Sequence, residues 1–178
     1  GDDTLHYRSL AADGLSGSAA DLASGHAVGD DISIDVSASD TPFVAYQDLD
    51  EDSVAYTHYG ASWVTTTLAT SPGDDDYGTT LDLTVDLGGA VHIAYTDTTE
   101  FPAQIRYDQP GAVDFEAVTS ALSYAIAIDF SPLGRPCIAS ANVLSPLIFG
   151  CRYGAEWEME TLDSSRFAVE IDMVHDST

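Results

Sequence analysis

The stretch Ile32-Ser33-Ile34-Asp35-Val36 decides the fold, because three variants of it recur along the 178-residue chain. Each variant is largely apolar and has an aspartate at its fourth position. A repeat of this length indicates a solenoid, a propeller or another array of similar units. The variants lie 43 to 51 residues apart and read Leu83-Thr84-Val85-Asp86-Leu87, Ile126-Ala127-Ile128-Asp129-Phe130 and Val169-Glu170-Ile171-Asp172-Met173.

The repeat has further parts that keep their order. A second apolar segment ending in a carboxylate or an amide follows each of the first three copies, at 42–48, 91–97 and 136–142. A basic residue and a tyrosine come next, and in two units Gly-x-x-Trp follows them. The first and third units keep one register, with equivalent residues 94 apart from Asp35 and Asp129 to Trp63 and Trp157. The repeat is therefore real.

The repeat predicts an all-β fold. Each unit of about 45 residues contains four short β-type segments between loops rich in Gly, Pro, Asp and Ser, and no window shows a helical apolar period. Four strands per 40–50 residues is the period of a β-propeller blade. We expect one propeller domain or segment over 1–178, with a partial blade at 1–30, blades at 31–76, 77–120 and 121–165, and a first strand at 166–178.

The combined pattern resembles the secreted bacterial β-propeller repeats of the broad sialidase-like group. The shared features are an apolar strand ending in Asp, then Pro-x-apolar-Ala-Tyr, basic-Tyr and Gly-x-x-Trp. The Asp-box of that group, Ser-x-Asp-x-Gly-x-Thr-Trp, is absent from the sequence, so no sialidase residues are carried over. The resemblance implies the fold and export, with ligand binding or scaffolding as common uses.

Two ways of closing the propeller stay open. The segments at 1–30 and 166–178 together supply three strands of one further blade but no counterpart of Val44-Ala45-Tyr46. The chain either closes a small four-bladed ring or forms part of a larger propeller. In the second case, a missing segment or another chain completes the ring.

The composition excludes several partners. Thirty acidic residues face five arginines and no lysine, which gives a formal charge of −25 and an isoelectric point near 4.1. Nucleic acids and anionic membranes would be repelled. No apolar run of 18 residues and no signal peptide occurs, so we expect no membrane insertion. The composition also resembles that of proteins from salt-loving organisms.

Several polar and aromatic residues are candidates for ligand binding. Loops after the second strand of a propeller blade project towards one face, and sugars stack on aromatic rings. The candidates are Tyr46, Asp48, Tyr95, Asp97, Asn142, Trp63 and Trp157. Tyr46 and Tyr95 could equally pack in the core.

The acidic loop Asp48-Leu49-Asp50-Glu51-Asp52 is a candidate Ca²⁺ site. Alternate oxygen donors at Asp48, Asp50 and Asp52 suit a hard cation, although the loop lacks the glycine and final glutamate of an EF-hand. A solvated acidic turn is the alternative interpretation. The run Asp74-Asp75-Asp76 is a weaker metal candidate. Apart from this Ca²⁺ hypothesis, the sequence indicates no cofactor.

Two regular polar series have a structural and a functional interpretation. The repeat aspartates either accept backbone N–H bonds that fix turns or form an anionic ring at a central channel. The basic residues before tyrosine either pair with carboxylates between blades or line sugar-binding clefts. The first series is Asp35, Asp86, Asp129 and Asp172; the second is His6, His58, Arg106 and Arg152.

The cysteines bear on the cellular compartment. Cys137 and Cys151 lie in the second and third strands of one unit and face each other if the hairpin turns near Leu144. They form either a cross-strand disulfide, which agrees with an oxidising compartment, or two buried thiols.

The sequence supports two classes of function. The first is a non-catalytic binding or scaffolding module outside the cell or on its surface, with a glycan or protein ligand. The second is a domain of a secreted carbohydrate-active enzyme, such as a glycoside hydrolase or lyase. No Gly-x-Ser-x-Gly and no His-x-x-x-His occurs, so no catalytic residues are assigned.

Overall fold

The structure is a computed structural model that describes residues 4–10, 18–23, 27–70, 77–99, 102–112, 115–121, 123–142, 145–164 and 170–174. All regular secondary structure in these ranges is β-strand, and no helix there could span a membrane. The strands are β1 His6–Arg8, β2 Ala19–Asp21, β3 Val28–Val36, β4 Pro42–Asp48, β5 Ser53–Tyr59, β6 Trp63–Thr70, β7 Tyr77–Val85, β8 Val91–Asp97, β9 Gln104–Asp108, β10 Glu116–Thr119, β11 Ala125–Phe130, β12 Pro136–Asn142, β13 Ser145–Tyr153 and β14 Glu156–Asp163.

The strands form three four-stranded antiparallel sheets, each in simple chain order. We name them sheet I (β3–β6), sheet II (β7–β10) and sheet III (β11–β14); β1 and β2 form a two-stranded amino-terminal sheet. The all-β prediction is confirmed, and units of four strands are present in sheets I to III.

The first hairpin of every sheet turns in the same way. Five residues separate paired strand ends, and the N–H of the first of them donates to the carbonyl of the fifth, as in Ser37 to Thr41 at 2.9 Å. The fourth residue has a left-handed backbone, with φ of 58° at Asp40, 84° at Gly89 and 69° at Gly134. Asparagine, aspartate and glycine tolerate this conformation best, so the turn selects these residue types.

The core lies between the sheets. Phe43, Val54 and Tyr56 of sheet I pack against Leu83 and Ile93 of sheet II. A second cluster joins sheets II and III, and a third joins the amino-terminal sheet to sheet I. Because the inner strands are covered on both faces, β4 and β8 are buried along their whole length. This explains why these segments do not alternate between apolar and polar residues.

Side-chain oxygens join the first strands of neighbouring sheets. Asp31, Ser33 and Asp35 of β3 accept the backbone N–H groups of residues 81, 83 and 85 in β7 at 2.7, 3.1 and 2.8 Å. Asp82 of β7 accepts the N–H of Ile128 in β11 at 2.8 Å. An inner edge strand has N–H groups that no strand pairs, and these oxygens satisfy them.

One member of the predicted aspartate series was misaligned. Asp35 lies opposite Phe43 and Asp129 opposite Cys137, but in sheet II the residue at this position is Thr84. Asp86 lies two residues later, in the turn, where its carboxylate accepts the N–H of Ala90 at 2.8 Å. In the equivalent turns of sheets I and III, the hydroxyls of Ser37 and Ser131 accept the corresponding N–H group. The Asp86 carboxylate therefore takes the place of a serine hydroxyl in sheet II.

The other series members have separate settings. Asp35 accepts N–H groups from the next sheet as well as from Val36, so it joins sheets and does not fix the following turn. Asp129 accepts the N–H of Phe130 at 2.7 Å. Asp172 lies in the segment 170–174, which is not assigned as a strand. The prediction of four equivalent aspartates is therefore wrong for Asp86.

Candidate functional site

A charged and aromatic cluster lies where the outer strands of sheets II and III meet. We call it the II–III cleft and define it by Tyr107 of β9, Glu116 of β10, Arg152 of β13 and Trp157 of β14. Arg152 Nη2 pairs with Glu116 Oε1, and Trp157 Nε1–H donates to Glu116 Oε2 at 3.1 Å. One carboxylate therefore fixes a guanidinium and an indole from the neighbouring sheet.

Aromatic rings form the apolar part of the cleft. The rings of Tyr107 and Trp157 lie 5.2 Å apart at 64°, and the Arg152 guanidinium lies 5.9 Å from the Tyr107 ring. Tyr107 is buried, whereas the side chains of Arg152 and Glu116 are 29% and 32% exposed. A ligand can therefore reach the ion pair, and the indole ring beside it is partly exposed.

Tyr107 of the II–III cleft forms a buried pair with His92. The Tyr107 hydroxyl bonds His92 Nδ1, and burial raises the pKa of Tyr107 to about 12. Burial also lowers the pKa of His92, although the nearby Asp86 carboxylate opposes this shift. Burial by itself would raise the pKa of Asp86, but the N–H of Ala90 and the contact with His92 lower it. Tyr107 and His92 are thus neutral at neutral pH.

The II–III cleft offers binding groups and no evident catalytic arrangement. Arg152 supplies a planar set of donors, Glu116 supplies the free lone pairs of its two oxygens, and Trp157 supplies a ring face, because its one N–H is already bonded to Glu116. The ion pair holds the polar groups in place before a ligand arrives. This combination suits a small polyhydroxylated ligand with one apolar face.

The amino-terminal junction repeats the ring pair without the charges. The rings of Tyr7 and Trp63 lie 4.9 Å apart at 64°. In the amino-terminal sheet, the residue opposite Tyr7 is Ala20, whereas in sheet II the residue opposite Tyr107 is Glu116. In sheet I, the residue opposite Trp63 is Tyr59, whereas in sheet III the residue opposite Trp157 is Arg152.

The predicted ligand residues do not form one site. Trp63 and Trp157 lie at two separate junctions, both partly exposed. Tyr46 and Tyr95 are buried in the core, as the packing interpretation predicts, and burial raises the pKa of Tyr46. The side chain of Asn142, at the end of β12, lies outside those that the structure describes.

Asp97 is structural. It is fully buried and pairs with Arg106 of the neighbouring strand, and its Oδ1 accepts the N–H of Thr99 at 2.9 Å. The Arg106 guanidinium lies 3.6 Å from the centre of the Phe115 ring. A carboxylate at this depth is not exposed to a ligand, so the structure favours a packing role for Asp97.

The acidic loop after β4 is a hydrogen-bonded turn. Asp48 is buried, and its Oδ1 accepts the N–H groups of Asp50 and Glu51 at 3.1 and 3.2 Å. Asp50 accepts the N–H of Ala27 at 2.9 Å, and Asp52 has a left-handed φ of 44°. The oxygens serve the backbone, and the described residues contain no group of three acidic, histidine or cysteine side chains placed to hold a metal. The run Asp74-Asp75-Asp76 lies outside the described residues.

Among the four residues that precede tyrosine, Arg152 pairs across a sheet junction. Arg106 pairs with Asp97 inside sheet II, and His6 bonds Asp21 at 2.8 Å inside the amino-terminal sheet. His58 stacks on Phe43 and Tyr56 of its own sheet. The predicted pairing between units therefore applies to Arg152 and not to these three contacts.

A disulfide joins Cys137 to Cys151, as one of the two alternatives predicts. The two residues are directly opposite each other in β12 and β13. The bond crosses sheet III next to the strand that carries Arg152. It ties together the second and third strands of that sheet.

The ends of the first strands line an open depression of about 850 Å³. Asp35, Asp86 and Asp129 contribute to its wall together with Phe130 and Pro132. The three aspartates therefore lie around one space, although each has its own backbone hydrogen bonds.

Glu116 was missed by the sequence reasoning. The repeat is loosest between Gly111 and Phe115, so the strand that follows had no clear counterpart in the other units. The sequence signal for Glu116 was an acidic residue in the second unit, the unit that has no Gly-x-x-Trp.

Comparisons with known proteins identify solved structures with a similar fold, but they do not assign the chain to a family. No protein family and no curated protein sequence matches the chain. An arginine-to-alanine triple mutant of AofleA from Arthrobotrys oligospora matches 99% of this chain with a TM-score of 0.60 and 12% identity. The chain spans 56% of the length of AofleA. A fucose lectin from Kordia zhangzhouensis in complex with methyl-fucoside matches 75% of this chain and 99% of its own, with a TM-score of 0.49 and 10% identity.

The likeness to AofleA shows a shared fold that extends over nearly the whole chain. It does not assign a ligand, because identity at this level carries no information about individual site residues.

Proposed function

We propose that the protein is a non-catalytic carbohydrate-binding module in which sheets I to III are successive blades of a β-propeller. Three antiparallel four-stranded sheets pack face to face, and their first strands border one depression, which supports an arrangement as blades around an axis. The fold shared with AofleA supports one continuous architecture over the chain.

The observation that carries the proposal is the bridged ion pair of the II–III cleft. Glu116 holds both Arg152 and the indole N–H of Trp157, so donors and acceptors are fixed beside an aromatic ring. Sugars present hydroxyl groups on their rim and C–H groups on a ring face. A charged bidentate group and a tryptophan bind these two surfaces at once.

The charge of the protein narrows the ligand class. A net charge of −25 repels sulfated, phosphorylated and sialylated glycans. Neutral sugars do not experience this repulsion. We therefore assign uncharged glycans to the cleft, and we place the protein outside the cell or at its surface, where its disulfide is stable.

A glycan array followed by calorimetric titration of the best ligand tests the proposal. Methyl-fucoside is one of the neutral sugars to include in the titrations. We expect saturable binding of a neutral glycan, and Glu116→Gln should weaken it because the amide no longer pairs with Arg152. Asp40→Asn, an exposed turn residue, is the control that should bind like the parent protein. Absence of binding to every neutral glycan would refute the proposal.

A further inference from the structure

The inner strand of sheet I carries an exposed apolar stripe. Ile32, Ile34 and Val36 are 46%, 56% and 51% exposed, and we call these three residues the inner stripe. The counterparts of Val36 at the equivalent ladder position are Val85 and Phe130, which are partly buried. The counterparts of Ile32 and Ile34 are Leu81 and Leu83 in sheet II and Ile126 and Ile128 in sheet III. These four residues are at most 6% exposed.

The preceding sheet covers those counterparts in two ways. Apolar side chains such as Phe43 and Tyr56 pack on Leu83, and oxygens of the preceding first strand accept its N–H and those of its neighbours. The amino-terminal sheet packs on Val44, Tyr46 and Ala55 of sheet I and leaves the inner stripe uncovered. The stripe therefore fits another first strand with oxygen-bearing residues at alternate positions.

The segment 170–174 has the required sequence. Glu170-Ile171-Asp172-Met173 has the same order of polar and apolar residues as Ser33-Ile34-Asp35-Val36. Residues 172–174 line a hollow of about 420 Å³ together with Cys137 and Phe149 of sheet III. Cys137 and Phe149 are the counterparts of Phe43 and Tyr56, on which β7 packs.

The segment, which is not itself a strand, thus lies against the part of sheet III that corresponds to the part of sheet I covered by β7. At the opposite end of the series of sheets, the inner stripe of sheet I needs such a segment. The AofleA chain is nearly twice as long as the part that this chain matches, so a protein that shares this fold extends beyond the matched part. A head-to-tail contact repeated by a twofold rotation closes into a ring.

We infer that two copies of this chain associate head to tail, so that the segment 170–174 of each copy covers the inner stripe of the other. Glu170 and Asp172 then accept the N–H groups of Ile34 and Val36, as Ser33 and Asp35 do for residues 83 and 85. The inference rests on the propeller arrangement under Proposed function, and it adds an interface that glycan binding does not require.

The mass in solution is the first test. We expect twice 18.8 kDa by sedimentation equilibrium, with the dimer favoured by added salt because each copy is strongly acidic. Ile34→Glu should raise the dimer dissociation constant at least about tenfold, since it places a carboxylate in an apolar contact. The matched control is Val64→Glu on the outer strand β6, where the side chain is 47% exposed and the dimer should persist. Thermal unfolding should show both variants folded.

Cross-linking identifies the occupant of the stripe. Between sheets I and II, the Ser33 hydroxyl donates to the Asp82 carboxylate at 2.6 Å. In the proposed dimer, Glu170 of one copy and Ser33 of the other occupy the equivalent positions, so a variant with Ser33→Cys and Glu170→Cys brings two thiols together there. Oxidation should give a product of two chains in a denaturing gel without reductant. A cross-link within one chain would show that the chain closes on itself, and no cross-link would show that another partner covers the stripe; each result overturns the inference.

A monomeric protein would also overturn the dimer. The II–III cleft lies within one chain, so a monomer that still binds glycans would leave the proposed function intact. A protein that is dimeric but binds no glycan would support the dimer and contradict the proposed function.

Discussion

The two tryptophan junctions of this protein share their ring geometry and differ in their polar residues. Trp63 meets Tyr7 and Trp157 meets Tyr107 at nearly the same distance and angle. At the second junction alone, the ring pair is joined by an arginine and a glutamate. The ring contact therefore packs neighbouring sheets, and the added ion pair converts one junction into a candidate binding site.

Loss of the guanidinium should separate the two junctions most strongly. Arg152→Ala removes the planar donors of the II–III cleft, and we expect glycan affinity to fall about a hundredfold, since bonds from a charged donor contribute roughly 1.5–3 kcal/mol each. Arg8→Ala, on the exposed face of β1, should leave affinity unchanged. Equal affinities of the two variants in calorimetric titration would contradict the assignment.

The inner ends of the sheets provide a second contrast. Asp82 accepts bonds from Ser33, Leu83 and Ile128, whereas Asp31 accepts one bond, from Leu81. Asp82→Ala should lower the free energy of unfolding by about 2 kcal/mol, because buried N–H groups lose their acceptor. Asp31→Ala should cost less. Chemical denaturation measures both losses, and a larger loss for Asp31→Ala would contradict this ranking of the two carboxylates.

The indole donor distinguishes the junctions more finely. Trp157→Phe keeps an aromatic ring but removes the N–H that bonds Glu116, so we expect about a tenfold loss of glycan affinity. Trp63→Phe should leave affinity unchanged, since that junction has no glutamate. If both variants lost affinity equally, the ring pair and not the ion pair would define the site.

Acid sensitivity gives the smallest expected effect. Burial holds the folded pKa of His92 below its ordinary value of 6.5, so the unfolded chain binds its proton first. This contribution to stability is complete above pH 6.5 and is lost as the pH falls through the folded pKa. His92→Phe should therefore show a smaller drop in melting temperature between pH 7.5 and 5 than the parent protein. Identical drops would mean that His92 does not contribute to the acid response.

The repeat predicts much of the fold because each unit contains the same strand segments and the same first turn. The strands and the facing positions of Cys137 and Cys151 follow from spacing and pairing, whereas the bond between the two thiols was one of two alternatives. Asp86 was misaligned because aspartate serves two different positions, one in the strand and one in the turn. Local sequence does not distinguish these two positions, whereas the pairing register with the neighbouring strand does.

The site was less predictable because it depends on which sheets meet. Trp157 and Arg152 were recognised from their motifs, but their partner Glu116 lies 36 residues from Arg152 in the chain and in another sheet. Asp97 has the same motif position as Asp48, but its use by Arg106 depends on the ladder between β8 and β9. Contacts across sheets require the packed structure.

The two tryptophans permit a direct test of the central claim that the II–III cleft binds glycans. In a ¹H–¹⁵N NMR spectrum, each indole N–H gives its own signal, and the chain contains no other tryptophan. During titration with the glycan selected by the array, the Trp157 signal should shift and saturate while the Trp63 signal stays in place. A shift of Trp63 alone, or no shift at Trp157 under saturating ligand, would contradict the assignment.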